Sequence, residues 1–187
     1  MKLSDYVAKF IAEYTDHVFT GTGGCIVHVL DSLHRLTDVQ IIPGQNEQGA
    51  AIAAEAYSRV TNKIGVSLAT SGPGIINLFQ GIACAYYDSI PTLYITGDVP
   101  TSQLKNNDNI RQLGFQEMDV VGMLSRLSKY CTMLTDPRLI RYELEKMVYM
   151  ATTGRQGPVV FSLPDDLQRA EITVESLVRF DPPRKFN

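Results

Sequence analysis

The chain has 187 residues, of which 44% are hydrophobic and 20% are charged, a composition typical of one globular domain. Its 17 Lys and Arg residues against 20 Asp and Glu residues give a formal charge of −3, which disfavours a nucleic-acid partner. No apolar run approaches the roughly 20 residues that span a bilayer, and residues 1–5 turn polar too early for a signal peptide. Three dispersed cysteines fit a reducing compartment, so we expect a cytoplasmic protein without membrane or nucleic-acid partners.

Helical patterns alternate with short apolar segments along the chain. Residues 3–14 carry apolar side chains at helical spacing, with Ser4 placed to cap the first turn. Further helices are predicted at 26–36, 47–60, 75–87, 118–127 and 138–152. Segments rich in Val and Ile predict strands at 17–20, 39–42, 64–69, 92–96, 129–133 and 159–163. This alternation predicts a three-layer, doubly wound α/β domain with a mostly parallel six-stranded sheet and helices on both faces.

Two regions depart from the alternation. Residues 98–116 form a long polar segment, and such a loop inside a compact domain is more often functional than idle. The second region, residues 164–187, contains Asp-Pro-Pro-Arg at 181–184, which is typical of a linker. We therefore predict one folded domain over residues 1–168, followed by a linker over residues 169–187.

Candidate functional residues follow the predicted strands, because ligands of open α/β sheets bind beyond the carboxyl ends of the strands. Residues 21–24 read Gly-Thr-Gly-Gly, which suits either a tight turn or close approach of a ligand to the backbone. They do not form a dinucleotide fingerprint, because Ile26 stands at the third glycine position. After the second strand, Asn46 can cap a helix and Glu47 lies in its first turn, where the helix dipole favours a carboxylate.

The helix that begins near Glu47 contains five alanines between positions 50 and 56, which predict close helix packing within the chain or between subunits. Residues 70–74, Thr-Ser-Gly-Pro-Gly, resemble an anion-binding turn at a helix start, and Asn77 follows one turn later. No Gly-Lys pair follows, so the segment is not a Walker loop. The three histidines lack neighbours at metal-ligand spacing, and no metal site is expected in this chain.

Taken together, these loops resemble the N-terminal, pyrimidine-binding domain of thiamine-diphosphate enzymes of the acetolactate synthase type. The matching motifs run in the family's order from about residue 5 to residue 168, and the ordered set is specific although each motif is weak. They lie at 23–24, 46–50, 53–59, 69–74 with 77, 88–91, 95–97, 115–117, 129 and 154–159. The resemblance implies that residues 1–168 bind the pyrimidine ring of thiamine diphosphate.

The resemblance assigns the central chemical role to Glu47. In the family, this glutamate hydrogen-bonds the pyrimidine N1′ and favours the tautomer whose 4′ nitrogen removes the C2 proton of the thiazolium. That task needs a carboxyl group in a dry pocket, where desolvation raises its proton affinity. Gly24 matches the glycine whose carbonyl meets the 4′-amino group, and a side chain there would obstruct the cofactor.

Further residues match the surroundings of the cofactor and the substrate. Pro73, Gly74 and Asn77 match the loop beside the pyrimidine ring. Phe115 and Gln116 match the substrate side, where Gln116 is also expected to take part in catalysis. Lys129 matches a lysine near the flavin or substrate channel of acetolactate synthases.

The sequence departs from the family pattern at a few positions. Cys25 replaces a usual alanine, Asn46 a common histidine, and Gln156 a usual proline, so the choice of 2-oxo acid stays open. The family binds the diphosphate through Mg²⁺ in a C-terminal domain whose signature begins Gly-Asp-Gly, whereas here Gly97-Asp98 is followed by Val99. We therefore expect Mg²⁺ to be bound by a domain outside this sequence, and FAD to be a further candidate cofactor.

The resemblance implies a thiamine-diphosphate-dependent 2-oxo acid decarboxylase or carboligase, active as a homodimer or higher oligomer. Its site would lie between this domain and a diphosphate-binding domain of the same or a partner chain, so this chain alone is predicted to be inactive. Two alternatives remain open. The chain could be the separate α subunit of a split decarboxylase, or a degenerate, non-catalytic paralogue that serves as an assembly or regulatory module.

Overall fold

A computed structural model describes residues 1–106 and 109–183 of the chain. Its strands are β1 (His17–Thr20), β2 (Gln40–Pro43), β3 (Gly65–Ala69), β4 (Thr92–Asp98), β5 (Tyr130–Met133) and β6 (Val159–Pro164). They form one sheet in the order β2-β1-β3-β4-β6-β5, and every pairing between them is parallel. The strands β3, β4 and β6 are buried along their whole length, as expected for a sheet that is covered on both faces.

Helices pack on both faces of the sheet. They are α1 (Leu3–Ala12), α2 (Val27–Leu36), α3 (Glu47–Thr61), α4 (Pro73–Asp88), α5 (Val120–Leu124), α6 (Ile140–Thr152) and the short α7 (Asp165–Gln168). One apolar core joins α1, α2 and α6 to the sheet, and it contains Leu33 and Met147. A second core joins α3, α4 and α5 to the opposite face, and it contains Ala51, Leu78 and Val120. The predicted three-layer, doubly wound α/β architecture is confirmed.

The predicted element boundaries agree with the structure to within one or two residues in most places. The predicted helix 118–127 is instead divided into α5 and a 3₁₀ turn at Ser125–Leu127. The predicted cap at Ser4 is wrong, because Lys2 is the N-cap and Ser4 is buried inside α1, where it accepts a hydrogen bond from Ser32 Oγ. The Leu3 amide donates to the Ala170 carbonyl over 2.9 Å, so the C-terminal segment supplies the partner that a capping side chain would otherwise provide.

The alanines of α3 allow α4 to approach closely within the same chain. A Cβ atom added at Gly81 of α4 would lie 2.5 Å from Ala51 Cβ and 2.7 Å from the Ala51 carbonyl carbon. The small residues of α3 therefore allow tight helix packing, and the helix packed against them is α4 of the same chain. The outward faces of the two helices carry exposed apolar side chains such as Ile52 and Ile76. Among the described residues, no helix has both the length and the hydropathy that crossing a membrane requires.

The predicted linker 169–187 packs against the domain over much of its length. Ile172 and Leu177 belong to the first apolar core, with 8% and 7% of their surfaces exposed. The Phe180 ring contacts Tyr142 and Tyr149, and its amide donates to Glu145 Oε2 over 2.9 Å. The segment is therefore part of the folded unit as far as Phe180, while residues 184–187 lie outside the described residues. That it leads to a further domain stays a prediction.

Candidate active site

The loops that follow β1 to β4 meet at the carboxyl edge of the sheet, because parallel strands end on the same side. Gly21 after β1 touches Glu47 after β2, and Gly23 touches Thr70 after β3. Gly72 in the third loop in turn packs against Gln116, at the end of the segment that follows β4. The candidate residues of four separate loops are thus brought to one continuous surface.

Glu47 stands at the centre of this surface, half-buried in the first turn of α3. The predicted cap is present, since Asn46 Oδ1 accepts a hydrogen bond from the Gly49 amide over 2.8 Å and fixes the helix start. Glu47 Oε2 accepts a hydrogen bond of 2.9 Å from Asn77 Nδ2, one turn into α4. The contact is possible because α3 and α4 both begin at this edge of the sheet.

Glycines leave the room that the Glu47 side chain occupies. A Cβ atom at Gly21 would lie 2.7 Å from both Cγ and Oε1 of Glu47, closer than real Cβ contacts allow. A Cβ atom at Gly74 would lie 3.6 Å from Glu47 Oε1 and 3.1 Å from Thr70 Cγ2. Gly24 differs from both, since, apart from its two neighbours in the chain, no described residue has an atom within 4 Å of the position that its Cβ would take. Open space therefore adjoins Gly24, while the glycines at 21 and 74 fit around the carboxyl group.

Three polar side chains contact Cys25 and so hold the Gly24 segment in place. Thr70 Oγ1 accepts a hydrogen bond of 3.3 Å from the Cys25 amide, and Ser71 Oγ lies 3.3 Å from Cys25 Sγ. Gln168 lies at the end of α7, and its Nε2 donates to the Cys25 carbonyl over 2.7 Å. Thr70 and Ser71 belong to the motif at 69–74, but the sequence does not predict their contact with Cys25, because no local pattern indicates a partner 45 positions away.

Gln116 and Phe115 extend this edge on the side of β4. Gln116 has a left-handed backbone, with φ at 59°, and it packs against Gly72, whose φ is 66°. Left-handed backbone is costly for a residue with a side chain, and such strain is concentrated at functional sites. Phe115 is 79% exposed and therefore presents an open aromatic face next to Gln116. Pro73 opens α4 directly after Gly72, so its ring helps to fix this helix start.

A buried carboxyl group lies below the edge and was not among the predicted site residues. Asp98 ends β4 with its side chain fully buried, and it accepts hydrogen bonds from Ser162 Oγ at 2.9 Å and from the Val99 amide at 2.8 Å. Desolvation raises the pKa of Asp98 above its ordinary value, and the hydrogen bonds only partly oppose this effect. The sequence signal is a charged residue directly after an apolar strand.

Lys129 lies at the opposite, amino-terminal edge of the sheet, immediately before β5. Its Nζ donates to the Thr153 carbonyl over 2.6 Å, and desolvation lowers the pKa of its ammonium group. It lines a cavity of about 310 Å³ together with Tyr86, Tyr87, Arg155 and Gln156. The structure therefore does not bring Lys129 together with Glu47, and its predicted contact with substrate stays a prediction.

The carboxyl edge combines an oriented carboxylate with open space beside a glycine. A carboxylate oriented by Asn77 can exchange a hydrogen bond or a proton with a ring nitrogen, and the open space at Gly24 leaves room beside a backbone carbonyl. In the part of the chain that the structure describes, no group of three or more His, Cys, Asp and Glu side chains is placed to hold a metal ion. The fold is that of an open α/β domain, a class in which ligands bind beyond the carboxyl ends of the strands.

Comparison with known proteins identifies the family. Residues 1–123 match the family model described as thiamine pyrophosphate enzyme, N-terminal TPP binding domain, in which thiamine pyrophosphate is the same compound as thiamine diphosphate. The match covers well over half of the chain. The chain therefore belongs to the family of N-terminal cofactor-binding domains of thiamine-diphosphate enzymes.

Similar proteins bear one recurrent name. The chain is 40% identical over 157 residues to the acetolactate synthase large subunit of Corynebacterium glutamicum, a match that covers 84% of this chain and 24% of that protein. It is 38% identical over 159 residues to the acetolactate synthase of Arthrospira platensis, covering 83% and 26%. The probable acetolactate synthase large subunit of Methanocaldococcus jannaschii is 37% identical over 176 residues, covering 94% and 29%. The chain thus spans about a quarter of the length of these curated relatives.

Proposed function

We propose that this chain holds the pyrimidine half of thiamine diphosphate in an enzyme that decarboxylates a 2-oxo acid and ligates the product, as the names of its relatives suggest. The observation that carries the proposal is the Glu47 carboxylate, hydrogen-bonded by Asn77 and set among glycines at the carboxyl edge of the sheet. A helix-start glutamate with no chemical role would need neither the orienting amide nor the open space at Gly24.

Each residue of the edge has a distinct task in this proposal. When bound, the cofactor supplies the electron sink for breaking the carbon–carbon bond. Glu47 would share a proton with the ring nitrogen N1′, and Asn77 would keep the carboxyl group turned towards it. The Gly24 carbonyl would accept a hydrogen bond from the 4′-amino group. Pro73 and Gly74 would set the start of α4 beside the ring.

The proposal requires a second domain to complete the pocket. Glu47 is only half-buried in this chain, whereas a proton relay to a ring nitrogen works best where water is excluded. A diphosphate-binding domain, from the same chain or from a partner, would cover Glu47 and bind Mg²⁺ together with the diphosphate. We propose a homodimer or higher oligomer built around this contact, and FAD remains a candidate second cofactor.

On the substrate side, Phe115 and Gln116 are proposed to contact the 2-oxo acid. Both lie at the same edge as Glu47, Gln116 through its packing against Gly72 and Phe115 as its exposed neighbour. Lys129 could contribute to a substrate or flavin channel only where another domain or chain meets the opposite edge.

The three cysteines are unpaired, which supports the expectation of a reducing, cytoplasmic compartment.

The test is an assay of the complete enzyme, meaning this chain together with its diphosphate-binding domain, with thiamine diphosphate and Mg²⁺. We expect release of carbon dioxide from pyruvate, 2-oxobutyrate or a longer 2-oxo acid, with loss of activity when the cofactor is removed. In calorimetry, residues 1–187 alone should bind the cofactor weakly, because the Mg²⁺–diphosphate contacts are supplied elsewhere. Absence of turnover on every 2-oxo acid, with no retention of the cofactor, would contradict the proposal.

A further inference from the structure

The segment that carries Gln116 is held by one acidic side chain. Between β4 and α5, the described residues 99–106 and 109–119 contain no regular element except a 3₁₀ turn at Thr101–Gln103. The Glu117 carboxylate joins two distant parts of this segment, because its Oε1 accepts from the Lys105 amide over 2.6 Å and its Oε2 accepts from the Leu113 amide over 2.7 Å. Hydrogen bonds to a charged acceptor are among the stronger ones in proteins.

The base of the segment is anchored independently of Glu117. Asp166 accepts hydrogen bonds from the Thr101 amide at 2.9 Å and from Thr101 Oγ1 at 2.5 Å. The Gly114 backbone packs closely against the Val99 side chain, since a Cβ atom at Gly114 would be 2.9 Å from Val99 Cγ1. Removal of the Glu117 side chain would therefore release the backbone amides of Lys105 and Leu113, while Thr101 stays attached to α7.

Gln116 depends on this bracing more than an ordinary loop residue does. Its left-handed backbone, with φ at 59°, is intrinsically unfavourable, so the surrounding contacts must hold it there. On one side it meets Gly72, where a Cβ atom would come within 2.6 Å of Gln116 Cβ. On the other side Glu117 follows directly in sequence and ties the preceding turn at Leu113.

We propose that Glu117 is a positioning residue that fixes Gln116, and with it the Phe115 ring, at the substrate side of the cofactor edge. Both carboxylate oxygens of Glu117 accept hydrogen bonds from backbone amides of its own segment, so the role assigned to it is positioning and not contact with the cofactor or the substrate. The inference rests on the proposed function, since it assigns Gln116 to the substrate. Glu117 should therefore govern the use of the 2-oxo acid and leave activation of the cofactor to Glu47.

The experiment compares Glu117→Ala and Glu117→Gln in the complete enzyme, with Glu175→Ala as a matched control at an exposed glutamate of the C-terminal segment. The readouts are KM and kcat for the 2-oxo acid, hydrogen–deuterium exchange at cofactor C2, and the melting temperature. For Glu117→Ala we expect kcat/KM to fall on the order of 10- to 100-fold, because small displacements of positioning groups have effects of this size. The rate of C2 exchange should stay at the unmodified enzyme's value.

Glu117→Gln keeps one acceptor oxygen and should recover part of the lost kcat/KM, which a purely electrostatic role of the carboxylate would not allow. Unchanged kcat/KM in a folded Glu117→Ala or Glu117→Gln enzyme would overturn the inference. Equal losses of kcat/KM and of C2 exchange would overturn it too, because Glu117 would then act on the whole site. If Glu117→Ala does not fold, Glu117→Gln decides by the same criteria. A failure of the proposed function is distinguishable, since it would appear as normal C2 exchange in Glu47→Gln.

Discussion

Asn77 Nδ2 donates a hydrogen bond of 2.9 Å to Glu47 Oε2, although 30 positions separate the two residues in sequence. The contact exists because α3 and α4 both begin at the carboxyl edge of the sheet, Glu47 in the first turn of one helix and Asn77 in the second turn of the other. The amide leaves Glu47 Oε1 directed towards the glycines at 21 and 74. Asn77 thereby determines which way the carboxyl group points.

Replacement of Asn77 should slow proton transfer by Glu47, and the size of the effect should depend on the side chain that replaces the amide. Asn77→Ala removes one hydrogen bond and is expected to slow C2 exchange about tenfold, in line with a net contribution of about 0.5–1.5 kcal/mol for such a bond. Asn77→Asp places a second carboxylate against Glu47, so like-charge repulsion should turn Glu47 away and slow the exchange further. The measurement is C2 exchange in the complete enzyme. Equal exchange rates in Asn77→Asp and the unmodified enzyme would mean that Asn77 does not orient Glu47.

The glycines at 21 and 24 should respond to substitution in different ways. Gly21→Ala places a methyl group where Glu47 Cγ and Oε1 lie, so it should both lower the melting temperature and slow C2 exchange. The added methyl group of Gly24→Ala meets no atom within 4 Å in the described part of the chain beyond its sequence neighbours, so the melting temperature of the cofactor-free protein should stay unchanged. The same substitution should still weaken cofactor binding by about 1–3 kcal/mol through overpacking. Calorimetric titration and thermal melts separate these effects, and normal cofactor affinity in Gly24→Ala would place the ring elsewhere.

Backbone strain at Gln116 predicts an unusual order of stabilities. Gln116→Ala and Gln116→Gly both remove the amide group, but alanine keeps a Cβ atom, and only glycine adopts a φ of 59° without a steric penalty. The free energy of unfolding of the glycine variant should therefore exceed that of the alanine variant by about 0.5–1 kcal/mol. This difference already includes the opposing effect of glycine's larger backbone entropy in the unfolded chain. Denaturant unfolding of both variants measures the difference. An alanine variant as stable as the glycine variant would show that Gln116 is not strained.

Burial of Asp98 predicts how stability depends on pH. Desolvation raises the pKa of Asp98 in the folded state above 3.8, so between 3.8 and the raised value the folded protein binds more protons than the unfolded one. Stability contributed at this site is therefore present at low pH and lost as the pH rises through that window. Asp98→Asn keeps an acceptor for Ser162 or the Val99 amide without the charge. We expect this variant to melt at a higher temperature than the unmodified protein, and the difference in melting temperature should be larger at pH 7 than at pH 4. A gain that does not change with pH would contradict the buried charge.

Sequence patterns predicted the fold well because the sheet is apolar on both faces and each strand is followed by a helix. The same logic located Glu47, Asn77 and Gly74, since residues that follow parallel strands must meet at one edge. The same rule assigns Lys129 to the opposite edge, because a residue just before a parallel strand lies at its amino end, whereas the motif resemblance had grouped it with the substrate residues. The rule could not foresee the hydrogen bonds of Glu117, which depend on the path of an irregular segment rather than on a periodic pattern.

The end of the domain shows a second limit of sequence patterns. Residues 169–187 were predicted to be a linker from their prolines and charges, yet Ile172 and Leu177 fill the core beside α1 and α6. The two side chains are too widely spaced to form a periodic pattern. Only the folded arrangement, in which residue 172 pairs with the N-terminal residue, shows that the core needs them.

The most direct measurement is hydrogen–deuterium exchange at cofactor C2 in the complete enzyme, compared between the unmodified protein and Glu47→Gln. Glutamine keeps the size of the side chain and can still bond to Asn77 through its amide oxygen, but it cannot pass a proton to the ring nitrogen. We expect exchange to slow on the order of 10²–10⁴-fold, with little change in melting temperature. If Glu47 served only to stabilise the start of α3, the substitution would instead cost about 0.3–1 kcal/mol of stability and leave exchange unaffected. A normal exchange rate together with a lowered melting temperature would contradict the assignment of Glu47 as the cofactor-activating residue.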